Sequence, residues 1–266
     1  MKVTYEGKYI VLLGATGGIG QALAQQLAES GANLLLVARN AQRLEQLIKL
    51  LPGTKHQYCA ANLANEEGRK QIIQMVNACL NINSIIFSTG INDFRWLEEQ
   101  SNTKISELIM TNLTAVILLT HALLPYVKTH KVQLAYIGST YGVIGYPGFA
   151  TYCASKFGLR GFAQALGREL RNEGVKVKYI APRATDTSLN DTAIRQLINT
   201  TNSQLDTPEQ VAQQIIQALS SNKAEWFIGW PEKLFVKVNQ LFPALVSRVI
   251  HKQWSIIRRC AERPIG

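Results

Sequence analysis

Short apolar runs alternate with longer amphipathic stretches along most of the chain. Residues 9–13, Tyr-Ile-Val-Leu-Leu, predict a strand, residues 18–30 carry a helical period that stops at Gly31, and residues 33–37 predict a second strand. The same unit recurs as a helix over 41–51, a short strand near 56–59, a helix over 65–80 and a strand over 84–87. A long helical region over 104–129, a strand over 133–137, a helix over 152–172 and a strand over 175–180 follow. A helix over 207–220 and a strand over 226–228 close the series. Strands that are apolar throughout are buried on both faces, which requires helices above and below a parallel sheet. Residues 1–230 are therefore expected to form a single doubly wound α/β domain.

Beyond residue 230 the rhythm changes. Leu234, Val238, Leu241, Leu245 and Val249 share one helical stripe, and Phe242, Val246, Ile250, Trp254 and Ile257 make an adjacent one, with Pro243 expected to kink or divide the helix. From Pro231 to Gly266 seven basic residues stand against two acidic ones, a net charge of +5. Residues 231–266 thus predict a basic amphipathic helical extension. Its apolar stripes either pack on the body of the protein or on a second subunit, or lie on a membrane as a peripheral contact.

Composition narrows the class. At 266 residues with 47% hydrophobic and 17% charged residues, the chain is not disordered. Cys59, Cys79, Cys153 and Cys260 form no Cys-x-x-Cys, and His56, His121, His130 and His251 have no partners at ligand spacing. Neither a metal site nor a disulfide framework is expected, and a reducing, cytoplasmic setting is. Glu6 and Lys8 precede the first apolar run, which reads as a strand rather than a signal peptide. The uncharged stretch from Leu108 to Val127 has membrane-spanning length, yet Thr111, Asn112, Thr114, Thr120, His121 and Pro125 mark it as a buried helix. The net charge of +10 lacks an aromatic-basic platform or a recognised binding motif, so nucleic acid is not an expected partner.

Chemistry enters at the first strand-to-helix turn, Gly14-Ala15-Thr16-Gly17-Gly18-Ile19-Gly20. Glycines there let backbone N–H groups approach a pyrophosphate at the positive end of a helix. At the end of the second strand an acidic residue would accept from a ribose 2′-OH, whereas a basic one would neutralise a 2′-phosphate. The run Val37-Ala38-Arg39-Asn40 with Arg43 has no carboxylate, which favours NADP(H) over NAD(H).

Ser139 follows the strand over 133–137, and Tyr152 and Lys156 lie four apart on one helix face. An ammonium fixed beside a phenol is expected to lower its pKa, so that Tyr152 can exchange a proton with a carbonyl or alcohol oxygen. Ser139 would hydrogen-bond the same oxygen, and Lys156 would also hold the nicotinamide ribose.

Together these residues resemble the short-chain dehydrogenase/reductase family over roughly residues 8–229. The resemblance implies a Rossmann-type fold and an Asn-Ser-Tyr-Lys tetrad at Asn112 (Thr-Asn-Leu-Thr-Ala), Ser139 (Gly-Ser-Thr), Tyr152 and Lys156 (Tyr-Cys-Ala-Ser-Lys). Asn112 would carry a water in a proton relay behind Lys156. It further implies cofactor contacts at Gly14, Thr16, Gly18, Ile19, Gly20, Arg39, Asn62, Leu63, Gly90, Pro182 and Thr187, besides Tyr152 and Lys156. A homodimer or homotetramer through the long helices 104–129 and 152–172 is also implied.

Three departures stand out. Phe87-Ser88-Thr89-Gly90 replaces the family's Asn-Asn-Ala-Gly, which predicts altered hydrogen bonding at that sheet edge. Asn62 stands where an Asp commonly contacts adenine; its amide can still donate and accept. Arg183 follows Pro182 where a glycine is usual, and is expected either to recognise an acidic substrate group or to point to solvent. By analogy, residues 188–205, 141–149 and 91–96 line the substrate cleft, with Asp93, Arg95, Asp191 and Arg195 as its only charges. The expected function is an NADPH-dependent carbonyl reductase, or the reverse alcohol dehydrogenase, with a lipophilic substrate. The alternative is a membrane-associated nucleotide-binding scaffold without redox turnover.

Overall fold

The computed structural model describes residues 4–262; Arg263, counted above among the basic residues of the tail, lies outside them. The apolar runs form β1 (Tyr9–Leu13), β2 (Asn33–Ala38), β3 (Gln57–Ala60), β4 (Ile82–Phe87), β5 (Gln133–Ile137), β6 (Val177–Ala181) and β7 (Glu225–Phe227). They make one sheet in the order β3-β2-β1-β4-β5-β6-β7, with every neighbouring pair parallel. In the centre Val11 of β1 sits between Leu35 of β2 and Ile85 of β4.

Side-chain alternation along β1 splits the interior into two layers. Val11 and Leu13 join a cluster with Ile72 and Val76 of α3 (Glu66–Ala78), Leu119 and Leu123 of α5 (Ala115–His130), and Leu159 and Leu166 of α6 (Ala150–Glu169). Ile10 and Leu12 join the opposite cluster, with Leu23 and Leu27 of α1 (Gly18–Glu29), Leu44 of α2 (Ala41–Leu50), and Val211 and Ile215 of α8 (Pro208–Ser220). The strand order reverses between β1 and β4, and that reversal opens a crevice at the carboxyl ends of the strands.

The long helical region is interrupted. α4 (Asn102–Ile109) runs into a π-helical turn at Met110–Thr114 before α5 begins. Residues 102–130 are long and apolar enough to cross a membrane, but Val116, Leu119, Leu123 and Val127 of α5 lie in the core beneath the sheet. Its length thus serves burial within the domain.

After β6 the chain forms α7 (Thr192–Thr200), capped by the Asp191 side chain, which accepts from Ile194 N. No helix was expected within 188–205. The extension folds as α9 (Glu232–Leu241), α10 (Pro243–His251) and α11 (Trp254–Ala261). Pro243 divides it as expected; the second break, at Lys252 and Gln253, was not. It lets α11 turn its buried Ile257, Cys260 and Ala261 into a cluster with Phe94, Leu108, Ile194, Leu197 and Ile198. Arg258 anchors this contact, stacking 4.8 Å above the Trp96 ring and reaching Glu98 at 3.2 Å.

Candidate active site

The crevice is a cavity of about 960 Å³ that collects nearly every residue singled out in the sequence. At one end lies the glycine turn. Gly14 has φ +81°, and a Cβ there would fall 2.6 Å from the Ser88 carbonyl oxygen, so no other residue fits. A Cβ on Gly18 would lie 2.5 Å from Thr187 Cγ2, which brings the loop after β6 directly over the turn. The amino end of α1 has neither a side-chain cap nor an acidic residue in its first turn. Its N–H groups therefore face the cavity as an anion site, a cradle that fits a dinucleotide pyrophosphate.

Arg39 and Arg43 line the same end, both exposed and neither in an ion pair among the described residues. Asn62 and Leu63 complete it. The Asn62 Oδ1 accepts from Ala64 N at 3.1 Å, leaving its amide nitrogen as a donor without a partner. Thr16, Ile19, Gly20, Gly90 and Pro182 also line the cavity. The altered edge at Ser88-Thr89 keeps its backbone bond, Ser88 N donating to Leu13 O at 2.9 Å, while the buried Thr89 Oγ1 has no partner. The change has left the sheet edge paired and created one unsatisfied hydroxyl on the cavity wall.

The four candidate catalytic side chains converge from three elements. Ser139 stands in extended conformation (φ −164°) just after β5, where its Oγ accepts from Tyr141 N and meets the Tyr152 hydroxyl. Tyr152 and Lys156 lie one turn apart on α6, and both are buried. The Lys156 ammonium donates to the Ile137 carbonyl at 3.2 Å and lies 5.8 Å from the centre of the Tyr152 ring. Asn112 sits in the π-helical turn, wholly buried and off the cavity surface. It receives Ile91 N on its Oδ1 at 2.8 Å and donates to Ile91 O at 2.8 Å and Ser155 Oγ at 3.1 Å. A Cβ on Gly90 would lie 3.4 Å from Lys156 Nζ and 3.6 Å from Asn112 Oδ1, so both the ammonium and the amide border this glycine.

Electrostatics correct one expectation. Burial pushes the Tyr152 phenol up to about 12, and the Ser139 hydrogen bond offsets only part of that rise. Burial also brings the Lys156 ammonium down to about 8. The anticipated lowering of Tyr152 by Lys156 is overturned because desolvation of a wholly buried phenolate outweighs an ammonium that is not bonded to it. At neutral pH the phenol therefore keeps its proton.

The other end of the cavity carries an apolar wall. Ile91, Tyr141, Ile144, Tyr146 and Phe149 meet Ile194, Leu197 and Ile198 of α7. Tyr141 stacks on Tyr146 at 5.1 Å and stands edge-on to Tyr152 at 6.4 Å. The charges expected here lie elsewhere: Asp93 pairs with Arg95, Arg195 pairs with Asp186, and Asp191 caps α7.

Arg183 does not point to solvent: it lines the cavity while its guanidinium is held in internal ion pairs. Its side chain is 12% exposed, grips Asp206 with two bonds of 2.9 and 2.7 Å, and donates to Trp230 O at 2.7 Å and Glu232 at 3.0 Å. It also packs on Gly229, where a Cβ would fall 2.6 Å from Arg183 Cδ. The cation thus bolts the loop after β6 to the start of the extension. Sequence reasoning missed a further wall: Phe235 of α9 with Val246, Val249 and Ile250 of α10 line the cavity. Val246 and Ile250 belong to the second apolar stripe and Val249 to the first, while Phe235 falls in neither; a linear pattern does not reveal which surface such stripes face.

The family model described as short chain dehydrogenase matches residues 8–197. Hydroxysteroid 11-beta-dehydrogenase 1-like protein A of Xenopus laevis is 27% identical over 254 residues, covering 92% of this chain and 86% of that protein. The 3-oxoacyl-(acyl-carrier-protein) reductase FabG of Vibrio harveyi is 27% identical over 231 residues, covering 84% and 94%. Carbonyl reductase family member 4 of Danio rerio is 28% identical over 180 residues, covering 67% and 76%.

Proposed function

Since the chain belongs to the short-chain dehydrogenase family and is an oxidoreductase acting on CH–OH groups, we propose that it is an NADPH-dependent carbonyl reductase of lipophilic substrates. The observation that carries this reading is the buried Tyr152, one helical turn from Lys156 and lining one cavity with Ser139, the glycine turn and an apolar wall that includes Tyr141, Tyr146 and Phe149.

Reduction of a carbonyl needs a proton at the oxygen as negative charge develops there, and the buried phenol of Tyr152 holds one at neutral pH. Ser139 donates to the same oxygen and orients it. Lys156, anchored at Ile137, would hold the nicotinamide ribose and would place positive charge behind Tyr152 as the phenolate forms. Asn112 fixes the Ile91 backbone on the substrate side and stands beside Lys156, where a proton relay would pass. When bound, the dinucleotide supplies or accepts the hydride. Its pyrophosphate would rest on Gly14, Thr16, Gly18, Ile19 and Gly20, with Pro182 and Thr187 closing over the nicotinamide, Gly90 beneath the ribose, and Asn62 and Leu63 at adenine. Arg39 and Arg43, unpaired and with no carboxylate beside them, would hold a 2′-phosphate, which favours NADP(H) over NAD(H).

Residues 1–230 act in this reading as the cofactor-binding domain, and 231–266 as an extension that closes the cleft and brings the enzyme to a membrane surface. The exposed Met110, Leu118 and Phe157 on the π-helical turn, α5 and α6 give the long helices the apolar faces a homodimer or homotetramer needs. The test is turnover of NADPH with a carbonyl panel. Long-chain or polycyclic ketones should exceed small polar sugars in kcat/KM, and equal rates for the two groups would refute the lipophilic assignment.

A further inference from the structure

The extension leaves large apolar side chains on its outer surface. Leu241 is 73% exposed, Phe242 63% and Leu245 52%, and Trp230 before α9 and Trp254 at the start of α11 are exposed too. Tryptophan at the margin of an apolar helical face is typical of the water–lipid boundary. The charges around this face are of one sign. Lys233, Lys237, Arg248, Lys252 and Arg259 form no ion pair among the described residues, whereas Glu232 is held by Arg183 and Glu262 by Arg258. Every uncompensated charge on the described extension is therefore positive. A second copy seated on the same patch would bring like cations together, because a two-fold contact is self-complementary. An anionic lipid leaflet matches both the apolar area and the charge.

Phe235 and Val249 connect this face to the chemistry: both are exposed, and both line the cavity. On the inner side of the same two helices Val236 and Val246 pack against Val143 and Ile144. We infer that α9 and α10 form a portal through which a membrane-dissolved carbonyl or alcohol passes between a lipid leaflet and the cavity without crossing bulk water. The inference rests on the reductase reading for its chemistry and on the extension's own surface for the membrane.

The full chain is tested with vesicles of phosphatidylcholine and phosphatidylglycerol. Co-sedimentation should depend on the anionic lipid and fall at high salt, and brominated lipid should quench tryptophan fluorescence. With 2-tridecanone carried in the vesicles, the NADPH oxidation rate should follow the ketone's mole fraction in the lipid at fixed bulk concentration. The rate with water-soluble 2-hexanone should ignore the vesicles. Leu241→Asp with Leu245→Asp should abolish co-sedimentation and slow the vesicle-borne ketone about tenfold, with 2-hexanone turnover and NADPH affinity retained. Lys237→Glu with Lys252→Glu should weaken binding to anionic vesicles alone.

Co-sedimentation that fails, or a Leu241/Leu245 variant that changes the oligomeric state in place of vesicle binding, overturns the membrane face whatever the enzyme reduces. Firm vesicle binding with a rate that tracks bulk ketone overturns the portal and leaves the reductase intact. Binding without turnover of either ketone overturns the reductase reading, and the portal with it, while the membrane face stands.

Discussion

The two ends of the cavity are built on opposite plans. The cofactor end is made of backbone: a turn of glycines, the uncapped start of α1 and the carboxyl ends of β1, β2 and β4. The substrate end is made of side chains drawn from distant segments, including α7 and the helices of the extension. Backbone N–H groups at a sheet edge are fixed by the sheet, so the first end can hold one ligand class in one pose. Apolar side chains on separate helices exclude water and adapt to shape, which suits a family whose substrates differ while the hydride donor does not.

The sharpest way to break this division is at its boundary. On the proposed mechanism Tyr152→Phe removes the proton donor, so carbonyl reduction should fall about a thousandfold while the protein still binds NADPH. Retained turnover would relocate the acid. At the cofactor end, replacing both Arg39 and Arg43 by Ala should weaken NADPH about thirtyfold in calorimetry and leave NADH unaffected. Equal losses for both dinucleotides would mean that the arginines do not read the 2′-phosphate.

At the substrate end, Arg183→Ala frees the start of the extension and strands Asp206 and Glu232. KM for a long-chain ketone should rise about tenfold with kcat for a short ketone little changed, and Arg183→Lys should not rescue it, because an ammonium cannot replace the two-pronged grip on Asp206. A parallel fall in kcat for both ketones would place Arg183 among the cofactor supports instead.

The smallest effect concerns the cofactor-free protein. Lys156 takes up its proton only below about 8 when folded, whereas an unfolded chain holds it up to about 10.4. The unfolded state then binds the extra proton between these values, so this lysine adds stability as pH rises from 8 to 10. The thermal midpoint of the wild type should gain on that of Lys156→Met over this range. Above 10 the raised Tyr152 acts in the opposite sense, since the folded protein keeps a proton that the unfolded one releases.

Much of this was legible before any coordinates. The glycine turn, Arg39, Ser139 and the Tyr152–Lys156 pair could be found because each depends on local geometry: a positive φ at Gly14, a strand end, two residues one helical turn apart. What escaped depends on contacts across the chain. The partners of Arg183, Asp206 and Glu232, are 23 and 49 residues away, so the cation read as free. The direction of the Tyr152 shift was misjudged because a sequence displays the charge of Lys156 but not the depth at which the phenol is buried. The second break in the extension, at Lys252 and Gln253, carries no proline or glycine to announce it; packing of α11 on α7 sets it.

The Arg183 bolt bears on how such an extension can be inherited or engineered. Asp206, the glycine at 229 and Glu232 have their present surroundings only with an arginine at 183, and that arginine would meet a Cβ on any other residue at 229. Transplanting residues 231–266 onto a relative with glycine at the position of Arg183 would leave Glu232 without its cation and the junction unfastened. The portable module is therefore discontinuous: four positions scattered over fifty residues must travel together with the helices they hold.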